Sequence, residues 1–122
     1  MNKTYSYKVL KDFLDGDLEQ IKDITETFII STPDILNELK ASLDSKNWDQ
    51  LSKDAHKLKS SVKLYEISDV VEEILFIEKK ATELKDFKLL EEKYKFISER
   101  LNKVIDQLQK DVDDWDLISK EI

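Results

Sequence analysis

Apolar residues recur along this chain at alternating intervals of three and four, a rhythm that only an α-helix gathers into one continuous face. From Leu18 onward, Ile21, Thr25, Phe28, Thr32, Ile35, Leu39 and Ser42 keep the rhythm, and Ile24, Leu36 and Leu43 widen the stripe. A second set is Trp48, Leu51, Ala55, Leu58, Val62 and Tyr65. A third is Ile67, Val70, Ile74, Ile77, Ala81 and Leu84, with Val71 and Leu75 alongside. The fourth, Phe87, Leu90, Tyr94, Ile97, Leu101, Val104 and Leu108, runs on loosely toward Trp115 and Ile118. One glycine and one proline in 122 residues leave few of the turn residues that sheets need.

The expected fold is therefore all-α, an antiparallel four-helix bundle in up-down-up-down order, because the connectors are too short for crossovers. Residues 1–122 read as a single domain of ordinary size. Its bundle covers about 17–111, and a short extra helix over about 5–15, with Tyr7, Leu10, Phe13 and Leu14, closes one end. The acidic tail over about 112–122 is expected to fray. Asp17 with Gln20, and Asn47 with Gln50, carry the spacing of helix N-caps, and Gly16 is a natural break before the first of them. Pro33 lacks a backbone donor and predicts a kink or an interruption. The apolar phase does not slip across it, which favours one long bent helix over two, with a break at Ser31-Thr32-Pro33 as the alternative.

Composition removes several function classes. The absence of cysteine excludes disulfides, thiolate zinc sites, iron–sulfur clusters and cysteine nucleophiles. The start MNKTYSYKVLKDFLDGD has no apolar signal region, and no run approaches the roughly 18 apolar residues of a spanning helix. The expectation is a soluble, cytoplasmic monomer with no membrane contact. A net charge of −7 argues against nucleic-acid binding. No glycine-rich loop is present to cradle a nucleotide, so the chain is not expected to be an autonomous kinase.

The chain's single histidine stands in AHKLKSS, residues 55 to 61. At 100° per residue His56 falls roughly 130° from the centre of its helix's apolar stripe, on the solvent side. Ser52, Lys53, Lys59 and Ser60 are its helical neighbours, with Lys63 a further turn along. A di-iron bundle would need paired Glu-x-x-His motifs, but Lys53 stands three residues before the histidine, and a zinc site lacks ligands for the same reason. Serine catalysis would need an oxyanion hole and a strained turn, which a regular helix at Ser60 does not offer. What fits is nucleophilic attack by an exposed imidazole on a phosphoryl group brought by a partner. Nearby lysines would offset the phosphate charge, and the small Ser60 leaves room for the partner. Lys53, Lys57, Ser60 and Lys63 are the candidate partner-binding residues on this patch; the plain alternative for the lysines is ordinary solvated charge. A lone exposed histidine is commonly inert, so the weight rests on its neighbours.

Those neighbours resemble the signature of histidine-containing phosphotransfer (HPt) domains. In AHKLKSSVKLYEI the residues Ala55, His56, Leu58, Lys59 and Ser61 match the pattern Ala-His-x-Leu-Lys-Gly-Ser, and Tyr65 takes the aromatic place. FIISTPDILNELKASLDSKNWDQL is similar to the family's approach to that helix, and the likeness extends from residue 10 to about 108. Two glycines of the pattern are replaced, by Ser60 and by Glu66. Serine narrows access, and Glu66 suggests a turn that does without positive φ. The resemblance implies a phosphorelay intermediate that accepts and donates a phosphoryl group at His56, in exchange with aspartates of receiver domains in response regulators and hybrid kinases. It implies Lys59 as phosphate neutraliser and no cofactor, since Mg2+ would belong to the receiver. Leu14, with Phe13 and Leu10, is a candidate apolar strip for such a partner. Glu78 continues the row Val71, Ile74 and Leu75, placing an acid at the edge of an apolar face. By the same resemblance it would accept the Nδ1 proton of His56 and leave Nε2 exposed.

Two other functions compete. One is an adaptor bundle that binds a receiver or kinase partner without phosphotransfer, although an inert adaptor has little need of both His56 and Lys59. The other is a helical dimer whose long last helix forms a seam through Trp115 and Ile118.

Overall fold

The computed structural model describes residues 4–122, and among them every regular element is helical. Helix α1 covers Lys8–Phe13, α2 Leu18–Asp44 and α3 Trp48–Val62, which runs into a 3-10 turn over Lys63–Tyr65. Then come α4 (Ser68–Leu84), α5 (Phe87–Asp113), the single turn α6 (Trp115–Ile118) and a closing 3-10 turn over Ser119–Glu121. The four long helices close on one another in pairs: α2 on α3, α3 on α4, α4 on α5 and α5 on α2.

Local chemistry starts α2 and α3 where the spacing predicts, and an Asp86 cap starts α5. Asp17 accepts the Gln20 amide at 3.1 Å, and the Gln20 side chain donates back to Asp17 at 3.0 Å. Asn47 accepts the Gln50 amide at 3.2 Å and Asp86 the Leu89 amide at 3.1 Å, so each first turn has one orphan donor satisfied. Helix α2 is continuous through Pro33. An interior proline costs about 3 kcal/mol. Beyond it Ile35, Leu36, Leu39 and Leu43 are all buried, and at roughly 1.5–3 kcal/mol each their burial outweighs that cost.

The predicted stripes form one core, in which Ile21, Leu39, Leu51, Leu58, Ile74, Ile77, Leu90 and Ile97 are enclosed. Leu18 in the first turn of α2 and Leu84 in the last turn of α4 depart from the pattern and are exposed.

Three expectations need correction. The extra helix is shorter than residues 5–15, because Tyr5 and Tyr7 precede it and are themselves buried. The C-terminal residues are helical and packed on the bundle: Trp115 is buried edge-on against Tyr7, with ring centroids 5.8 Å apart, and Ile118 packs on the core. Trp115 is therefore spent on its own chain and cannot line a coiled-coil seam. The cause is Asp111, a buried carboxylate that accepts the hydroxyls of Tyr5 at 2.5 Å and Tyr7 at 2.7 Å and so draws the N-terminal segment onto α5. Finally, Glu66 does adopt positive φ (+52°), as do Asp15, Lys46 and Lys85 at other helix ends. The turn after α3 has the left-handed geometry that glycine serves at least cost, and a glutamate pays the strain.

Two predictions result. Glu66→Gly should raise the unfolding free energy by about 0.5–1 kcal/mol, since relief of left-handed strain exceeds the added freedom of the unfolded chain; urea denaturation measures it, and a loss would contradict the strained turn. Burial, reinforced by Asp111, pushes the hydroxyls of Tyr5 and Tyr7 well above their ordinary value of 10.0, and burial pushes Tyr65 up to about 12. Above pH 10 the unfolded chain then loses phenolic protons that the folded chain keeps. Stability present below pH 10 should fall as pH rises beyond it, and Tyr7→Phe should flatten that fall in a denaturation series from pH 9 to 11.5.

Candidate functional site

Burial sets the rotation of α3. Leu51, Ala55, Leu58 and Val62 are enclosed, and each is followed by a residue turned 100° further round the helix, namely Ser52, His56, Lys59 and Lys63. This second row emerges at the seam with α4, the helix most extensively packed against α3. Across the seam stands Glu78, one residue beyond the enclosed Ile77.

Glu78 is the centre of the site. Its Oε2 lies 2.8 Å from His56 Nδ1, and Lys59 Nζ donates to Oε1 at 2.7 Å and Oε2 at 2.8 Å. Its backbone carbonyl accepts the hydroxyl of Ser52 at 2.5 Å. The Glu78 and Lys59 side chains are each only 15% exposed, whereas that of His56 is 68% exposed. The ring is thus anchored on one nitrogen and open on its outer side.

Burial alone would raise the Glu78 pKa, but hydrogen bonds from Lys59 and His56 and their charges outweigh it and hold the carboxyl below its ordinary range. At neutral pH Glu78 is a carboxylate, which only accepts hydrogen bonds. Nδ1 must then carry the hydrogen, and in the neutral ring Nε2 keeps the free lone pair. An exposed nitrogen lone pair beside a partly buried cation can attack an electrophile that carries negative oxygens.

The other candidates are placed as follows. Lys53 and Lys57 are exposed on the flank toward α2, where they border a hollow shared with Glu38 and Asp54, and Lys57 Nζ lies 3.5 Å from Glu38. Lys63 is exposed at the end of α3. Ser60 is exposed, with its hydroxyl 3.5 Å from the His56 carbonyl, over its own helix. Leu14 is half-buried against the core, at the end of an α1 that packs on α2 and on the 3-10 turn after α3. That turn begins seven residues past His56, roughly 10 Å along the axis. Leu10 is buried, which breaks the proposed strip and leaves Phe13 alone exposed on it. Lys59, the expected phosphate neutraliser, is bonded to both carboxylate oxygens of Glu78. Ser52 was visible only as a neighbour of His56, and its spacing of four and seven residues to His56 and Lys59 was the signal for a shared partner.

Glu78→Ala should abolish the bias toward the Nδ1–H tautomer of neutral His56. Imidazole 15N shifts above pH 8 measure this directly, and an unchanged tautomer ratio would refute the anchoring role.

A family profile described as Hpt domain matches residues 23–116, which include α3, α4 and all four residues of the Glu78 cluster. No curated protein and no solved structure matches the chain. Among the described residues no helix is long and apolar enough to cross a membrane. Matched over most of its length, the chain belongs to the Hpt domain family, whose members serve histidine phosphotransfer in two-component phosphorelays and interact there with receiver domains.

Proposed function

We propose that this protein is a phosphorelay intermediate of the cytoplasm, an up-down-up-down four-helix bundle that takes and returns a phosphoryl group at Nε2 of His56. The observation that carries this reading is the contrast within the triad: an imidazole anchored at Nδ1 by a carboxylate yet open at its other face. The donor is an aspartyl phosphate of a receiver domain. The Nε2 lone pair forms the N–P bond as the aspartate O–P bond breaks, and the aspartate leaves as a carboxylate. The Nδ1 hydrogen stays in place, so the ring gains positive charge, which the Glu78 carboxylate offsets. Return of the group to a second receiver reverses the same steps.

Lys59 has a place in this scheme despite its bond to Glu78. An ammonium has three donors, and its contacts to the two carboxylate oxygens leave at least one for a phosphoryl oxygen. Transfer would thus bring phosphate into an ion pair that already exists, so Lys59 need not be drawn from solvent and ordered during the reaction. Lys53 and Lys57 on the α2 flank, Ser60 one turn beyond the histidine and Lys63 at the end of α3 are exposed on the same helix, and an acidic receiver face would draw on them. Leu14 is a more distant part of that contact. Mg2+ is assigned to the receiver.

Incubation with a phosphorylated receiver domain tests the reading. Wild type should acquire acid-labile, alkali-stable phosphate, and His56→Gln none. Loss of one charge-assisted hydrogen bond, worth about 1.5–3 kcal/mol, should make Glu78→Ala slower by roughly tenfold or more. Receiver binding without label on wild type, across the receivers of the source organism, would favour the adaptor instead.

A further inference from the structure

Three side chains of α3 close on a single residue of α4. His56 and Lys59 hold the carboxylate of Glu78, and Ser52 holds its backbone carbonyl. Positions 52, 56 and 59 lie on one helical row, so their convergence follows from the setting of α3. The Ser52 bond differs from the other two in kind. A glutamate side chain has three rotatable bonds and can follow a displaced partner, whereas its backbone moves only with the helix. The carbonyl that Ser52 engages lies inside α4, two turns from its C-terminus, so the hydroxyl is an added donor to a group that the helix ladder already serves. That bond is not required to satisfy the carbonyl. It ties the α4 backbone to α3 at the level from which the Glu78 side chain departs.

We propose that Ser52 is a positioning residue for His56: by pinning the backbone of Glu78 it holds the carboxylate on Nδ1 and keeps Nε2 the free nitrogen. This inference rests on the phosphotransfer reading for its consequence in rate, but its structural content stands apart from that reading. Ser52 is half-buried one turn before His56 and does not itself contact the ring's anchored nitrogen, so its action runs through Glu78. Nothing else ties the two backbones at this level among the hydrogen bonds between α3 and α4 in the described residues.

The test is Ser52→Ala, read by imidazole 15N shifts and by phosphotransfer from a receiver. Alanine is the better helix former, so α3 is not weakened locally. Ser52→Ala should shift His56 toward a mixture of neutral tautomers and slow transfer about fivefold, the worth of one ordinary hydrogen bond. Ser52→Thr, which keeps the hydroxyl, should restore both. Lys93→Met removes a 2.7 Å ion pair to Glu73 that ties α4 to α5 elsewhere; it should leave the imidazole shifts unmoved, which separates positioning from general loosening of α4. An unmoved tautomer ratio in Ser52→Ala overturns the proposal, as does an equal shift in Lys93→Met. The shift measurement needs no phosphoryl donor. A tautomer shift in Ser52→Ala combined with an inert wild type would therefore sink the phosphorelay reading and still support the positioning role.

Discussion

Ala55 and Leu58 are enclosed in the core, and they stand immediately before and two residues after His56, so packing leaves α3 no freedom to rotate. A turn of even 40° would lift one apolar row toward water and press the charged row into the core, at a cost of several kcal/mol. The position of the imidazole is thus a by-product of hydrophobic burial. The enclosed row faces inward, the row one step round emerges at the seam with α4, and the reactive group sits where one helix ends its burial and its neighbour begins.

The seam explains why the site is both rigid and accessible. Glu78 and Lys59 are shielded enough that their ion pair is screened less than a surface pair, and Lys59 keeps the half-buried carboxylate from being an uncompensated charge. His56, one turn back, projects past them into solvent. The same carboxylate that stabilises the helix contact therefore directs the ring, and stability and chemistry share one group. A second anchor, Asp111 with Tyr5 and Tyr7, works in the same manner at the bundle's end, where a buried acid is retained because two hydroxyls satisfy it.

Much of this was legible from residue order. Helix starts at Asp17 and Asn47, the continuity of α2 through Pro33 and the outward direction of His56 all depend on relations within about four residues, where helix geometry is rigid. Glu66 shows the limit even at short range. The resemblance marked its place as a glycine's, yet the substitution alone suggested a different turn, because residue identity does not reveal whether packing on both sides will force the strain.

The sequence by itself determined that the chain is helical, which faces are apolar and that its one histidine is exposed among lysines. Those properties follow from a fixed rise and rotation per residue. Only the tertiary structure decided what lies across from that histidine. That Lys59 turns back onto Glu78, that Ser52 grips the same residue's backbone and that Asp111 gathers two tyrosines from over a hundred residues away are matters of distance between separate elements. Such distances are set by how the side chains of several helices fill a common interior at crystal-like density, and no single segment carries that information.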